Sequence, residues 1–299
     1  MGPTASGKTA AALALAQQRA VEVVSVDSAL VYRGMDIGSA KPDPAERAAV
    51  AHHLIDIRDP WDTYSAADFA TDAARCIDEI AARGRVPLLV GGTGLYFRSL
   101  LDGLSPMPER DPEERDRLSA ELAARGSRAL HAELARTDPV AAARIHPDDP
   151  QRIVRALEVF RISGRPLSAW QADRCAPRRR FAVLKLALCP PRPLLHARIA
   201  ERFAAMLDAG FLDEVRGLMA EPRLQPESPS MRAVGYRQAW EALARGHSRE
   251  QLLEAGVAAT RQLAKRQITW LRGEPDVFWL DPGEPAALLR RVADFLGAD

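Results

Sequence analysis

The stretch GPTASGKT, residues 2–9, decides which fold this sequence predicts. It matches the pattern G-x-x-x-x-G-K-[ST], in which glycines let main-chain N–H groups turn inward around phosphate oxygens. The helix expected after it adds favourable partial charge at its N-terminus. Lys8 would neutralise a terminal phosphate, and the Thr9 hydroxyl would hold Mg²⁺. We predict that the whole loop binds a diphosphate or nucleotide: Gly2, Pro3, Thr4, Ala5, Ser6, Gly7, Lys8 and Thr9.

Strands and helices alternate downstream of this loop. Five apolar runs predict strands: residues 21–27, 53–57, 86–92, 181–189 and 277–281. Helices are expected directly after the loop and at residues 65–84, 190–210, 230–246 and 250–273. Near-continuous apolar strands that alternate with helices are typical of a parallel sheet covered on both faces. The fold class is therefore α/β, a P-loop NTPase-like parallel sheet core with helices on both faces.

The alternation of apolar strand-like runs and helices stops near Pro106. From there to about residue 177 no strand-like run occurs, and the pattern indicates several charged helices. Four prolines are expected to break them: Pro139, Pro147, Pro150 and Pro166. We predict an all-helical insertion domain at residues 106–177, within a catalytic core formed by residues 1–105 and 178–299.

A loop of this kind hangs from the end of a buried strand, yet only Met1 precedes Gly2. Either the start lies further upstream, or the chain is truncated, or another strand takes that position. We favour the upstream start, so the expected fold lacks its N-terminal strand. The chain as given should be less stable than a version that carries the strand.

Composition excludes several classes of protein. A net charge of +1 over 299 residues argues against wholesale coating of nucleic acid but leaves room for a local basic stripe. Cys76, Cys175 and Cys189 are too few and too scattered for a disulfide scaffold or a zinc site. No signal-peptide pattern or long uncharged apolar run occurs. We expect a cytoplasmic protein with no membrane association, and a monomer.

Asp27 follows the first predicted strand. Ligands of open parallel sheets bind at the carboxyl edge, so this carboxylate should face the phosphate held by the loop. It would either accept a proton from an incoming nucleophile or support Mg²⁺ through water, and the residues alone leave both roles open. The third strand ends in Gly91–Gly92–Thr93, where many NTPases carry an acid. An ATP-dependent kinase nevertheless remains an alternative at this point.

Several longer stretches of the sequence carry more specific information than these motifs. They are SVDSALVYRGMDIGSAKP, HHLIDIRDP, YSAADF, LLVGGTGLYFRSLLDGL, DPVAAARIHPDDPQRIVRALEVFRISG, SMRAVGYRQAW and ATRQLAKRQITWLRG. Together with the loop, and in this order, they resemble the bacterial tRNA dimethylallyltransferase (isopentenyl-tRNA transferase) family over almost the whole chain. The resemblance implies transfer of a dimethylallyl group from dimethylallyl diphosphate, with Mg²⁺. The acceptor would be the N6 amino group of the adenine just 3′ of a tRNA anticodon.

The resemblance also implies roles for single residues. Asp27 would be the general base on the N6 amine, and Thr4 and Arg202 would be catalytic residues near the diphosphate. Thr93 and Arg115 would touch tRNA near the reacting base. The alternative for Arg115 is an ordinary solvated helix charge.

The acceptor adenine has to be extruded from its loop to reach the site. The resemblance implies that three segments contact the anticodon stem-loop: Asp27, Ser28, Ala29 and Leu30; Gln151, Arg152, Ile153, Val154 and Arg155; and Arg232, Ala233, Val234, Gly235, Tyr236 and Arg237. The insertion should then fold over the stem-loop from the opposite side. Arg261, Lys265 and Arg272 fall on one helix face and suit phosphate contacts, or else form a solvated face.

Three rival functions remain. An ATP-dependent kinase shares the loop and the sheet but does not explain the insertion. A transferase that prenylates free adenine nucleotides does not need the insertion or the basic C-terminal helix. A non-catalytic tRNA-binding protein does not need Lys8, Thr9 and Asp27.

Overall fold

The computed structural model describes residues 1–105, 107–109, 111–173 and 181–297, and the chain divides into two compact units. Unit 1 comprises Met1–Leu100 and Phe181–Asp299, and unit 2 comprises Leu101–Arg180. Cys175 lies outside the described residues, as do parts of the region expected to form the insertion. Cys76 and Cys189 are free thiols.

The N-terminal part of unit 1 alternates helices and strands as expected: α1 (Lys8–Ala16), β1 (Val21–Val26), α2 (Pro44–Ala49), β2 (His52–His53), α3 (Ala66–Ala82), β3 (Val86–Gly91) and α4 (Gly94–Leu101). Unit 2 follows with helices: α5 (Pro112–Arg125), α6 (Ser127–Thr137), α7 (Pro139–Ala142), α8 (Pro150–Ser163) and α9 (Leu167–Ala172). Unit 1 then resumes: β4 (Lys185–Leu188), α10 (Arg192–Asp208), α11 (Phe211–Met219), α12 (Tyr236–Arg245), α13 (Arg249–Arg272), β5 (Val277–Leu280) and α14 (Pro285–Leu296).

All the strand pairs are parallel among the described residues, so the α/β class is confirmed. The strand β1 is buried along its whole length and lies between β2 and β3. Its pairing with β3 runs in register from Val21 opposite Val86 to Val26 opposite Gly91. The strands β4 and β5 form a separate two-stranded sheet. The parallel register brings the carboxyl ends of β1 and β3 to one edge.

Local sequence signals explain where several helices begin. Ser65 caps α3 through a capping box with Asp68, as the position of Ser65 predicted. Asp43 and Glu46 form the same device at α2, a helix that the sequence analysis did not predict. In unit 2, Pro139 and Pro150 each occupy the first turn of a helix, where a missing N–H costs nothing.

Two predicted elements were wrong in part. The strand expected at residues 53–57 is limited to His52–His53, because Leu54 and Asp56 adopt positive φ angles of 62° and 56° that no extended strand accommodates. The helix expected from residue 230 begins only at Tyr236. Gly235 has a φ of 95°, which interrupts helical geometry there.

Unit 2 has a hydrophobic core of its own. Leu118, Leu134, Ile153 and Leu157 come from three helices and are fully buried in it. Arg161 joins the same helices on the outside through ion pairs with glutamates of α5 and α6. No strand occurs among the described residues of this unit. Across the described chain, no helix combines the length and the apolar character needed to cross a membrane.

The main chain at Met1 pairs with β4. Its amino group donates to the Leu186 carbonyl at 2.6 Å, and its carbonyl accepts from the Leu188 N–H at 2.9 Å. Apolar residues of β3 and β4, such as Leu88 and Leu186, are only partly buried. The phosphate-loop motif therefore begins beside β4.

Candidate functional site

A cavity of about 580 Å³ in unit 1 gathers side chains from both ends of the sequence. The loop contributes Lys8 and Thr9, the end of β1 contributes Asp27, and α10 contributes Arg202. The apolar part of the wall comes largely from helices α10 and α13. The cavity thus combines cations, one carboxylate and apolar surface, which a ligand with a charged head and an apolar tail requires.

The loop approaches this cavity with the geometry of an anion-binding turn. Ala5 and Gly7 have positive φ angles of 62° and 90°, and α1 begins at Lys8 immediately afterwards. The Ser6 N–H donates to the Pro3 carbonyl at 3.3 Å, which closes the turn. The N-terminus of α1 therefore carries its partial positive charge beside the lysine.

Two partly buried cations stand near each other at the loop. The Lys8 ammonium donates to the Pro3 carbonyl at 2.6 Å, and the Arg202 guanidinium donates to the Thr4 hydroxyl. Burial lowers the pKa of Lys8 to about 8, with Asp27 opposing the shift and Arg202 adding to it. Burial also lowers the pKa of Arg202. An anionic ligand at this position would relieve the repulsion between the two cations.

Asp27 is held at the edge where β1 and β3 end. Its Oδ1 accepts the Ala29 N–H at 2.8 Å. The neighbouring Ser28 N–H donates to the Thr93 hydroxyl at 3.2 Å, which links the two strand ends. Burial raises the pKa of Asp27, although the Ala29 N–H and Lys8 pull it down. A carboxylate with a raised pKa is a stronger base than an ordinary aspartate.

Gln267, which no sequence pattern singled out, fixes the loop from α13. Its Oε1 accepts the Thr4 N–H at 2.8 Å, and its Nε2 donates to the Gly92 carbonyl at 3.1 Å. A Cβ atom on Gly92 would lie 2.3 Å from Nε2, so only glycine permits this approach. The helical spacing of Leu263, Gln267 and Trp270 marks one face of α13, which was the available signal.

The predicted site residues divide into three groups. Those that line the cavity are Thr4, Lys8, Thr9, Asp27, Ser28, Ala29, Leu30, Thr93, Arg202, Arg232, Ala233, Val234 and Gly235. Those in unit 1 that do not line it are Gly2, Pro3, Ala5, Ser6, Gly7, Tyr236, Arg237, Arg261, Lys265 and Arg272. Tyr236 is fully buried, so it offers no surface to another molecule.

The third group lies in unit 2. Gln151 and Arg152 are exposed in the first turn of α8, whereas Ile153 and Val154 are buried in the core of the unit. Arg155 donates to Glu158 of the same helix at 2.9 Å. Arg115, on α5, is partly exposed. The exposed members of this group remain available to a partner.

The predicted basic stripe on α13 is present on the surface. Arg261, Lys265 and Arg272 are all exposed, and the helix is continuous from Arg249 to Arg272. Among the residues that the structure describes, no ion pair involves any of the three. The stripe therefore keeps its positive charge available.

The described residues contain no cluster of three or more His, Cys, Asp or Glu side chains that could hold a metal ion. The Thr9 hydroxyl and the Asp27 carboxylate both line the cavity. Oxygen donors of this kind, completed by phosphate oxygens and water, suit Mg²⁺. The donor set therefore fits a magnesium ion that arrives with a diphosphate, although it does not form a self-sufficient metal site.

The fold and the cavity define an α/β protein with an anion-binding loop beside a carboxylate and an apolar wall. A family-wide sequence profile described as IPP transferase matches residues 30–274. The chain belongs to this IPP transferase family.

Curated relatives agree with this assignment. A tRNA dimethylallyltransferase of Stenotrophomonas maltophilia strain K279a is 61% identical over 288 residues, covering 94% of this chain and 91% of the relative. One from Xanthomonas campestris pv. campestris strain 8004 is 58% identical over 304 residues, covering 99% and 93%.

Solved structures are similar over nearly the whole chain. The tRNA isopentenylpyrophosphate transferase of Bacillus halodurans has a TM-score of 0.72 at 36% identity, covering 99% of this chain and 94% of that one. A eukaryotic dimethylallyltransferase, described as acting on tRNA, has a TM-score of 0.79 at 28% identity, covering 99% and 78%. The resemblance inferred from the sequence is therefore confirmed.

Proposed function

We propose that this chain transfers the dimethylallyl group of dimethylallyl diphosphate to the N6 amino group of the adenine 3′ to the anticodon in tRNA. The observation that carries the proposal is the shared cavity, where Lys8 and Arg202 lie in one wall region with Asp27. The names of the curated relatives and of the structural neighbours support the same activity.

The reaction breaks the bond between the allylic carbon and the diphosphate oxygen and forms a bond from that carbon to nitrogen. The diphosphate leaves with the electron pair of the broken bond. Lys8, Arg202 and the loop N–H groups provide positive charge for it, which stabilises the transition state electrostatically. Thr9 would hold Mg²⁺, which when bound supplies further charge to the leaving diphosphate.

Asp27 takes the role of general base in this proposal. The amino group of adenine loses one proton as the new carbon–nitrogen bond forms, and the Asp27 carboxylate accepts it. Its Oδ1 is already oriented by the Ala29 N–H, and burial raises its pKa. Placing a base in this way contributes about 10²–10⁴-fold to a rate.

The tRNA would contact both units. In unit 1, the proposed contacts near the reacting base are residues 27–30, Thr93 and residues 232–237 apart from the buried Tyr236, and the α13 stripe would contact phosphates. In the proposed insertion domain at residues 106–177, Arg115, Gln151, Arg152 and Arg155 would contact the anticodon stem-loop, whereas Ile153 and Val154 are buried in the core of unit 2. Arg152 is the clearest candidate because 72% of its side chain is exposed.

One substitution tests the contribution of the insertion. Arg152→Gln should raise the KM for tRNA several-fold and leave kcat unchanged, because one phosphate contact is lost while no catalytic group is altered. Arg128→Gln is a matched control, since Arg128 is exposed in the same unit and pairs with an aspartate as Arg152 does. An equal effect of the two variants would contradict a specific contact at Arg152.

We propose that a strand preceding Met1 pairs between β3 and β4, as in P-loop proteins. The hydrogen bonds of Met1 to β4 and the partly buried residues of both strands support it. A version of the chain extended upstream by its native codons should unfold at a higher temperature; an unchanged melting temperature would contradict the proposal.

We also propose that the protein is a cytoplasmic monomer.

One assay tests the whole proposal. The purified protein is incubated with dimethylallyl diphosphate, Mg²⁺ and either unmodified tRNA or AMP, and nucleosides are analysed by mass spectrometry. We expect prenylated adenosine from tRNA only. Prenylated AMP without tRNA product would indicate a nucleotide prenyltransferase. Hydrolysis of ATP in a parallel incubation, without any prenyl transfer, would indicate a kinase or NTPase.

A further inference from the structure

The carboxylate of Glu214, in the first turn of α11, accepts hydrogen bonds from four donors. Its Oε2 accepts the main-chain N–H groups of Asp36 at 2.9 Å and Ile37 at 2.7 Å. Its Oε1 accepts the Gly38 N–H at 3.2 Å and the Tyr236 hydroxyl at 2.6 Å. Both oxygens are therefore fully engaged as acceptors, although Glu214 itself does not line the cavity.

These donors belong to two separate segments of the cavity wall. The three main-chain N–H groups belong to residues 36–38, and the cavity is lined by the last of these, Gly38, together with Ser39 and Ala40. Residues 232–235 line it directly before Tyr236. Burial, reinforced by the Glu214 carboxylate, raises the pKa of Tyr236, so its hydroxyl keeps the donated proton. One carboxylate thus ties together two walls that lie about 200 residues apart in sequence (Gly38 and Tyr236).

A steric contact fixes the same place. Phe211, the first residue of α11, is fully buried, and a Cβ atom on Gly38 would lie 2.0 Å from its ring. The Phe211 ring also meets the Tyr236 ring edge-on, with centroids 5.1 Å apart. The start of α11 therefore holds both walls by packing and by hydrogen bonds, and a small displacement of either wall would break several contacts together.

We infer that Glu214 is a positioning residue for the transfer reaction, which sets two walls of the cavity without touching the substrate. The inference rests on the proposed function, because only a reaction in this cavity gives the wall position a catalytic consequence. The phosphate loop is held by other contacts, notably those of Gln267. Diphosphate binding should consequently be independent of Glu214.

Glu214→Gln is the sharpest test. Its amide keeps the shape but replaces one acceptor oxygen with an NH2 group, which directs N–H donors at main-chain groups that are themselves donors, so at least one of the bonds to residues 36–38 is lost. We expect faster hydrogen–deuterium exchange of the peptide that contains these residues. We also expect kcat/KM for tRNA to fall on the order of tenfold or more, because small misplacements of a wall carry large rate penalties. The Kd for inorganic diphosphate should stay within about twofold, since the loop is untouched.

Two further variants make the result decisive. Tyr236→Phe removes one of the four donors and should give a smaller change of the same kind, even if Glu214→Gln fails to fold. Asp213→Asn removes the same charge from the same turn, at a side chain that is 80% exposed, and should leave all three measurements unchanged.

The outcomes separate this inference from the proposed function. A wild-type protein that does not prenylate tRNA contradicts the proposed function. A wild-type protein that does so, with Glu214→Gln and Tyr236→Phe at the wild-type kcat/KM, overturns the positioning role. A parallel loss of diphosphate affinity would overturn it too, because it would reveal general destabilisation rather than a displaced wall.

Discussion

Asp27 is a half-buried acid whose proposed role as general base requires its charged form. Burial raises its pKa above the usual value of 3.8, so the charge is lost at a higher pH than for an ordinary aspartate. The acid limb of kcat against pH should therefore lie above 3.8, with activity falling as pH decreases through it. Asp27→Asn should remove this limb, lower kcat about 10²–10⁴-fold and leave the Kd for tRNA nearly unchanged.

The Asp27 carboxylate should also lower the stability of the folded protein at neutral pH, although it supports activity. A carboxyl whose pKa is higher in the folded state than in the unfolded state loses stability as pH rises between the two values, and the penalty persists at neutral pH. Asp27→Asn should therefore raise the melting temperature at neutral pH while it lowers turnover. A variant that loses both activity and thermal stability would argue that the carboxylate has a structural role instead.

Lys8 gives a prediction for the binding of diphosphate at alkaline pH. Its pKa is lowered to about 8, so the free protein loses the ammonium charge as pH rises through that value. Inorganic diphosphate itself gains charge over this range, so its affinity, measured by calorimetry, is compared with that of a variant of fixed charge; relative to that variant it should be constant below the pKa of Lys8 and should fall above it by up to about tenfold per pH unit. Lys8→Arg keeps its charge throughout, so its affinity should not fall in this range. A wild-type affinity that is flat relative to that of Lys8→Arg up to about pH 9 would contradict the prediction.

Individual side chains also show which parts of the candidate site could be predicted from the sequence. Lys8, Thr9 and Asp27 were identified because each belongs to a short local pattern, and all three line the cavity. Gln267 and Glu214 were missed because their partners, Thr4 and the amides of residues 36–38, lie far away along the chain. A polar residue on a helix carries no local sign of such a contact.

At the level of elements, the apolar strands and the capped helices were predictable. The strands β1 and β3 follow from continuous apolar runs in the sequence, and the helix α3 follows from its capping box. Backbone exceptions were not predictable: positive φ angles at Leu54 and Gly235 shortened one strand and delayed α12. Such angles follow from tertiary contacts that local propensity does not contain.

The basic face of α13 provides a prediction about salt. If Arg261, Lys265 and Arg272 contact tRNA phosphates, each removed contact should reduce the slope of log K against log[salt] by about 0.7–0.9. The triple change to Gln should therefore weaken binding most strongly at low salt. Arg290→Gln on α14, also an exposed arginine, serves as the control. If the triple variant kept the wild-type slope, the stripe would be an ordinary solvated face.

At the scale of the whole molecule, the two units have separate cores and are expected to make separate contributions. Unit 2 has its own buried cluster, and unit 1 contains the cavity with the phosphate loop. This arrangement predicts that damage to the core of unit 2 weakens tRNA recognition before it affects the binding of diphosphate.

Leu157→Ala tests that separation, because Leu157 is fully buried in unit 2. Removing its side-chain atoms leaves a cavity and should destabilise the unit by about 2–5 kcal/mol. Thermal unfolding should begin earlier and the KM for tRNA should rise, while calorimetry at low temperature gives the wild-type Kd for diphosphate. Leu195→Ala makes the same change in the core of unit 1, where Leu195 is 1% exposed, and should weaken diphosphate binding as well. If Leu157→Ala weakens diphosphate binding as much as Leu195→Ala does, the two units do not divide the work in this way.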